Sequence, residues 1–257
     1  MALIETEIKD RVAWVTLNRP DKRNALSDEM VGRLTEAVES LEINPEVRAI
    51  VLRARGRVFC AGADLEGLEK MQNASREENR ADSRRLLEMY RVLYDTSKPV
   101  IAQVQGHALA GGCGLVTVCD FAFAVPEAKF GYTEVRIGFV PALVSVFLSR
   151  KIGNGAALQL LMGGGVVSAS EAQHLGLIYR VVTADSLDAE VAAFVQNLLS
   201  DNSGVAMSAT KRLLRQVEGL PLDKALSLAA ETNALARESK DCREGIAAFL
   251  AKKDKSW

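Results

Sequence analysis

Two short turns built from small residues carry the most usable chemistry in this chain. Phe59-Cys60-Ala61-Gly62-Ala63-Asp64 lies downstream of the apolar run Ala49 to Leu52. Gly106-His107-Ala108-Leu109-Ala110-Gly111-Gly112-Cys113-Gly114 joins the apolar run Pro99 to Val104 to a second one, Cys113 to Cys119. A glycine-rich break at a helix start leaves backbone N–H groups without intrahelical partners. Two such turns can supply two donors, and converging peptide N–H groups stabilise negative charge developing on a thioester or carbonyl oxygen without a titrating side chain. Each turn alone also fits plain turn chemistry. Glu134, within Tyr132-Thr133-Glu134-Val135-Arg136-Ile137-Gly138, is a carboxylate set between apolar segments. By itself it fits a solvated loop side chain or a group tuned by apolar surroundings to move protons.

Other reactive residue types organise less well. His107 and His174 have no Ser or Cys assigned beside them, so a nucleophile and base pair cannot be built on either. Cys113, at a helix start, fits a thiol of lowered pKa or a buried small residue. Asp64 and Asp120 suit capping or loop hydrogen bonding as well as chemistry. The four cysteines form no Cys-x-x-Cys pair, and two histidines give no zinc pattern. No metal is therefore expected, and a reducing, cytoplasmic setting is.

The elements that must position these residues follow from periodicity. Ala13 to Leu17, Ala49 to Leu52, Val100 to Val104 and Phe121 to Val125 read as strands, mostly separated by helices. Ser27 to Leu41 carries Met30, Leu34, Ala37, Val38 and Leu41 as a helical stripe, with Ser27 or Asp28 as N-cap. Arg84 to Tyr94 repeats the pattern. From Ser186 onward the chain reads as helices broken at Asp201 to Gly204, at Gly219 to Pro221 and near Ser239.

Bulk properties narrow the function classes. The 257 residues suffice for one large core or a core with a helical annex. Lys and Arg number 32 against 33 Asp and Glu, a net charge of −1, so no basic field argues for nucleic acid. Met1 to Asp10 has no apolar signal core. The longest apolar stretch, Phe139 to Leu148, is interrupted by Pro141 and too short to span a bilayer, so a soluble, unprocessed protein without a membrane partner is expected.

Five segments, taken in order, resemble the crotonase superfamily, the enoyl-CoA hydratase and isomerase group. They are LNRPDKRNAL (Leu17 to Leu26), FCAGADL (Phe59 to Leu65), AGGCGL (Ala110 to Leu115), KFGYTEVRIGF (Lys129 to Phe139) and ASEAQHLGLIYRVV (Ala169 to Val182), and the resemblance covers essentially the whole chain. It implies an α/β fold: a ββα spiral core over residues 1–185, then a helical oligomerisation region over 186–257 within the same compact unit, assembled as a homotrimer or dimer of trimers. It implies an acyl-CoA thioester substrate, coenzyme A being part of that substrate, and no permanently bound cofactor. The N–H groups of Ala63 and Gly111 would hold the enolate oxygen, and Glu134 would move the proton. Coenzyme A would be gripped near Arg23 and Ala25, by the loop of Ala61, Gly62, Asp64 and Leu65, and by Phe249 and Lys252. Lys22, Arg23 and Lys252 suit its phosphates.

Two departures qualify the resemblance. Gly114 stands where two-glutamate hydratases carry their second catalytic Glu, and Phe139 to Val144 replaces a glycine-rich stretch ending in TQRL. The combination resembles a bacterial subgroup of methylglutaconyl-CoA-type hydratases, in which loss of one glutamate would ease burial of an acyl group bearing its own carboxylate. Gly114 is thus counted with the substrate-binding residues. The activity implied first is hydration of an enoyl-CoA. A double-bond isomerase and an acyl-CoA-binding pseudoenzyme are the alternatives.

Overall fold

The computed structural model describes residues 2–255 and 257. In chain order its elements are β1 (Ile4–Lys9), β2 (Val12–Leu17), α1 (Asp28–Ile43), β3 (Ala49–Ala54), α2 (Leu65–Met71), α3 (Arg76–Asp95), β4 (Val100–Val104), β5 (Ala108–Leu109), α4 (Gly111–Val118), β6 (Phe121–Ala124), β7 (Lys129–Gly131), a 3₁₀ turn (Glu134–Ile137), α5 (Ala142–Ile152), α6 (Asn154–Gly163), β8 (Val166–Ser168), α7 (Ala169–His174), β9 (Arg180–Val181), α8 (Leu187–Asp201), α9 (Gly204–Val217), α10 (Leu222–Glu238) and α11 (Lys240–Leu250). They fall into two units. One comprises the residues up to Thr96 together with Val100–Val191, and the other Ser97–Pro99 with Ala192–Trp257.

The first unit is built on a sheet ordered β1-β2-β3-β4-β6-β9. β1 is antiparallel to β2, with Ile4 opposite Leu17, and every later pairing is parallel. Parallel strands are covered on both faces and so read as unbroken apolar runs. Ala49, Ile50, Val51 and Leu52 are accordingly buried, as are Val100, Ile101 and Ala102. The stripe on α1 buries Met30, Leu34, Val38 and Leu41, and the Ser27 side chain accepts from the Met30 N–H at 3.3 Å, making Ser27 the N-cap.

α3 begins eight residues before the apolar pattern at Arg84. Its first two turns are polar and exposed and leave no stripe to read. What starts them is a reciprocal cap, in which the Ser75 hydroxyl accepts from the Glu78 N–H and the Glu78 carboxylate accepts from the Ser75 N–H. A second, small sheet, β5-β7-β8, was not foreseen. Strands of two and three residues give periodicity nothing to work on.

The second unit holds the rest of α8 and the helices α9, α10 and α11. The Ser203 and Ser239 side chains cap α9 and α11, accepting from the N–H groups of Ala206 and Cys242, and Ser203 Oγ also donates to Asp241 at 2.5 Å. The Lys211 amino group donates to the Lys98 carbonyl at 2.7 Å.

Candidate active site

The small sheet brings three distant segments together. A parallel bridge, Cys60 with Ala108, lays the first small-residue turn beside β5, and β5 pairs in parallel with β7, Ala108 against Phe130 and Leu109 against Gly131. The Leu109 N–H donates to the Cys60 carbonyl at 3.0 Å and the Ala110 N–H to the Gly131 carbonyl at 2.7 Å. The His107 carbonyl accepts from both Phe59 and Cys60. Backbone alone makes these contacts, so bulk is excluded. At Gly62, where φ is +96°, an added Cβ would lie 2.8 Å from the Ala110 Cβ, 3.0 Å from the Leu109 carbonyl oxygen and 3.4 Å from the Gly111 nitrogen. Only glycine accepts both that dihedral angle and that proximity.

This crowding sets Ala63 and Gly111 on adjoining backbones. Among the described residues, neither N–H donates to a protein acceptor. Ala63 is exposed and Gly111 half-buried, so both can be reached. Gly111 is the first residue of α4, and the partial positive charge of a helix start adds to its pull on an anion. Two unsatisfied donors on neighbouring turns are what an oxyanion requires.

Glu134 opens the 3₁₀ turn that follows β7. Gly138, at φ +77°, closes that turn by donating back to it, and the Phe139 N–H donates to the Glu134 carbonyl at 3.0 Å. The Glu134 side chain is half-buried, and among the described residues its Oε2 has no hydrogen-bond partner. Burial raises its carboxyl pKa above the ordinary 4.5, and a hydrogen bond from its own backbone N–H pulls the other way. The Glu134 charge adds to burial in raising the pKa of the Tyr90 hydroxyl and of the Cys113 thiol.

Gly114 does not face open space. A Cβ there would lie 2.6 Å from Val144 Cγ1, 2.7 Å from Tyr90 Oη and 2.9 Å from Tyr90 Cζ. The space is filled by a phenol and a valine methyl. Sequence gave no warning of Tyr90, which reads as one more apolar position of an amphipathic helix.

The residues expected to hold coenzyme A divide between the two units. The Ala61 N–H donates to the Arg23 carbonyl, Leu26 to Gly62, and Asp64 to Leu26, at 3.1, 2.8 and 3.3 Å, so Arg23, Ala25, Ala61, Gly62, Asp64 and Leu65 occupy two laced segments. Arg23 and Leu65 are exposed, whereas Ala25 is buried. The Asp64 carboxylate is turned to Arg19, Nη1 to Oδ1 at 2.7 Å, and makes no side-chain cap on α2. In the second unit Phe249 lies at the end of α11 and Lys252 just beyond it, both exposed.

The remaining candidates take structural places. Burial pushes the thiols of Cys60 and Cys113 up to about 12, the opposite of activation. An Asp120 oxygen accepts from the Val100 N–H at 2.8 Å, and His107 is exposed. Among the described residues, no group of three or more His, Cys, Asp or Glu could hold a metal ion, and no helix is long and apolar enough to cross a membrane.

Comparison with known proteins converges on one family. The profile of the family described as enoyl-CoA hydratase/isomerase matches residues 7–257. A Thermus thermophilus protein assigned provisionally as an enoyl-CoA hydratase is 44% identical over 245 residues, covering 95% of this chain and 96% of the relative. A crotonyl-CoA hydratase of Syntrophomonas wolfei is 34% identical over 96% of this chain and 94% of its own length. The crystal structure of an enoyl-CoA hydratase from Mycobacterium smegmatis superimposes with a TM-score of 0.94 at 36% identity, covering 100% of this chain and 99% of that one.

Proposed function

The chain belongs to the enoyl-CoA hydratase/isomerase family, and we propose that it works as a hydratase, adding water across the 2,3-double bond of an enoyl-CoA thioester. The observation that carries this reading is the pair of N–H groups at Ala63 and Gly111, without protein acceptors, on two turns locked side by side. The thioester oxygen accepts from both. Water bonds to C3, the π electrons move onto the thioester as an enolate, and the Glu134 carboxylate takes the proton that water loses. The neutral Glu134 then returns a proton to C2 as the enolate collapses. One carboxylate thus serves as base and then as acid, and burial that raises its pKa makes it the stronger base for the first half.

Coenzyme A is read along Arg23, Ala25 and the Ala61 to Leu65 loop, Phe249 and Lys252 being the coenzyme A residues that the family resemblance implies for the second unit, and no further cofactor enters the reaction. The assembly is read as a homotrimer or dimer of trimers. Exposed Ile137, Phe139 and Val140 in the first unit and Leu214, Leu222 and Leu226 in the second support surfaces for association. Cysteines that are all thiols suit the cytoplasm.

A second reading, double-bond isomerisation, is favoured by Tyr90 and Val144 filling the Gly114 site, since one carboxylate suffices to carry a proton between carbons. One assay panel decides. Crotonyl-CoA and 3-methylglutaconyl-CoA should lose enoyl thioester absorbance and gain solvent oxygen. Conversion of a 3-enoyl-CoA without oxygen uptake, and no hydration, would establish the isomerase instead.

A further inference from the structure

Tyr90, on α3, is fully buried, and its hydroxyl ends on the oxyanion turn. It donates to the Gly111 carbonyl at 2.8 Å. The same oxygen lies 3.1 Å from where a Cβ would stand on Gly111 and 2.7 Å from where one would stand on Gly114. Two residues of α4 are therefore in contact with one phenol. The ring is held from behind by Phe147 on α5, whose centroid is 6.3 Å away in an edge arrangement, while Tyr94, one turn along α3, meets the same Phe147 at 5.0 Å.

We propose that Tyr90 is a positioning residue for the oxyanion turn: its hydroxyl fixes the Gly111 carbonyl, and with it the first peptides of α4, so that the Gly111 N–H stays directed at the thioester oxygen. The proposal rests on the oxyanion reading of Ala63 and Gly111. The turn needs such a fixture because Ala110, which precedes it, has φ +48°, a backbone conformation costly for alanine. Burial and nearby negative groups, Glu134 among them, raise the Tyr90 pKa well above the ordinary 10, so the hydroxyl remains a donor throughout the working pH range.

The test compares the parent with Tyr90→Phe, which keeps the ring and removes one hydrogen bond. Turnover of the active enoyl ester should fall about three- to tenfold, the worth of one neutral hydrogen bond, while KM stays within about twofold. Bound acetoacetyl-CoA gives a second readout, because its enolate absorbs in the ultraviolet and accumulates only where an oxyanion site favours it. Its enolate fraction should fall in Tyr90→Phe at saturating ester. Gly114→Ala reaches the same hydrogen bond from the other side, since its methyl must displace the hydroxyl, and it should lower the enolate fraction in the parent more than in Tyr90→Phe.

A Tyr90→Phe protein with parental turnover and enolate fraction overturns the proposal and leaves Tyr90 a packing residue. If Tyr90→Phe does not fold, Gly114→Ala decides alone, an unchanged enolate fraction refuting the proposal. A parent that forms the enolate but hydrates nothing refutes the hydratase reading while leaving the role of Tyr90 testable by absorbance.

Discussion

Replacing Glu134 by Gln tests the proton transfer most directly. The exchange is nearly isosteric and removes no protein hydrogen bond from Oε2, which has none among the described residues, so ester affinity should hold. Turnover should not. General acid–base catalysis is worth about 10²- to 10⁴-fold, and the loss should fall toward the upper end because the Gly114 site, filled by Tyr90 and Val144, offers no second carboxylate to take over. The pH dependence gives an independent check. Burial raises the Glu134 pKa above 4.5, so in the parent the acid limb of kcat/KM, where the base becomes protonated, should sit above the ordinary glutamate value and be absent from the residual activity of the variant. Stability moves the other way. A carboxyl whose folded pKa exceeds its unfolded one contributes its stabilisation at low pH and loses it as pH rises through that window. Glu134→Gln should therefore be no less stable than the parent at neutral pH. Turnover within a factor of two of the parent, or an acid limb that persists in the variant, would remove Glu134 from the mechanism.

Gly111→Pro places proline at the first position of α4, where helices tolerate it, and deletes one oxyanion donor. Turnover should drop about 10²- to 10³-fold, with circular dichroism and ester binding measured to show that the turn survives. Asp64→Asn breaks an ion pair at 2.7 Å whose side chains are only 16% and 7% exposed. Urea unfolding should show a loss of about 2 kcal/mol, below the figure for a fully buried pair because Arg19 retains some access to water. With Cys60, Cys113 and Cys119 buried and Cys242 half-buried, a maleimide applied to the native protein near neutral pH should label Cys242 alone, as peptide mass mapping would show. Modification of Cys60 or Cys113 under those conditions would mean that the site is open.

What was legible in the sequence was whatever repeats along one element. The fully buried strands β3 and β4 announced themselves as apolar runs, α1 by its stripe and its Ser27 cap, and the helical end of the chain by turn residues at each break. Contacts made by backbone across long separations left no such trace. Cys60 against Ala108 and Ala110 against Gly131 are recorded only as a preference for small residues, which plain turns share. Glu134 was ambiguous for the same reason, since burial of a loop carboxylate depends on segments brought to it by the fold. Tyr90 was illegible because a phenol in an amphipathic helix looks the same whether its hydroxyl meets water, a core carbonyl or an oxyanion turn.

The missing second carboxylate then has an electrostatic meaning and no spatial one. Had Gly114 left a cavity, a carboxylate on the acyl chain could enter it, and substrate charge would follow from residue size. A Cβ at 114 would lie 2.6 Å from Val144 Cγ1 and 2.7 Å from Tyr90 Oη, which closes that route. What the exchange does change is the count of negative charges around the enolate. With two carboxylates, the enolate forms beside one that is neutral and one that is still charged. On the proposed mechanism, with Glu134 as the acid–base carboxylate, the proton taken from water neutralises it at the moment the enolate appears. The developing charge then faces the Ala63 and Gly111 N–H groups and a protonated neighbour, an arrangement that lowers the cost of the intermediate and obliges the same proton carrier to finish the reaction at C2.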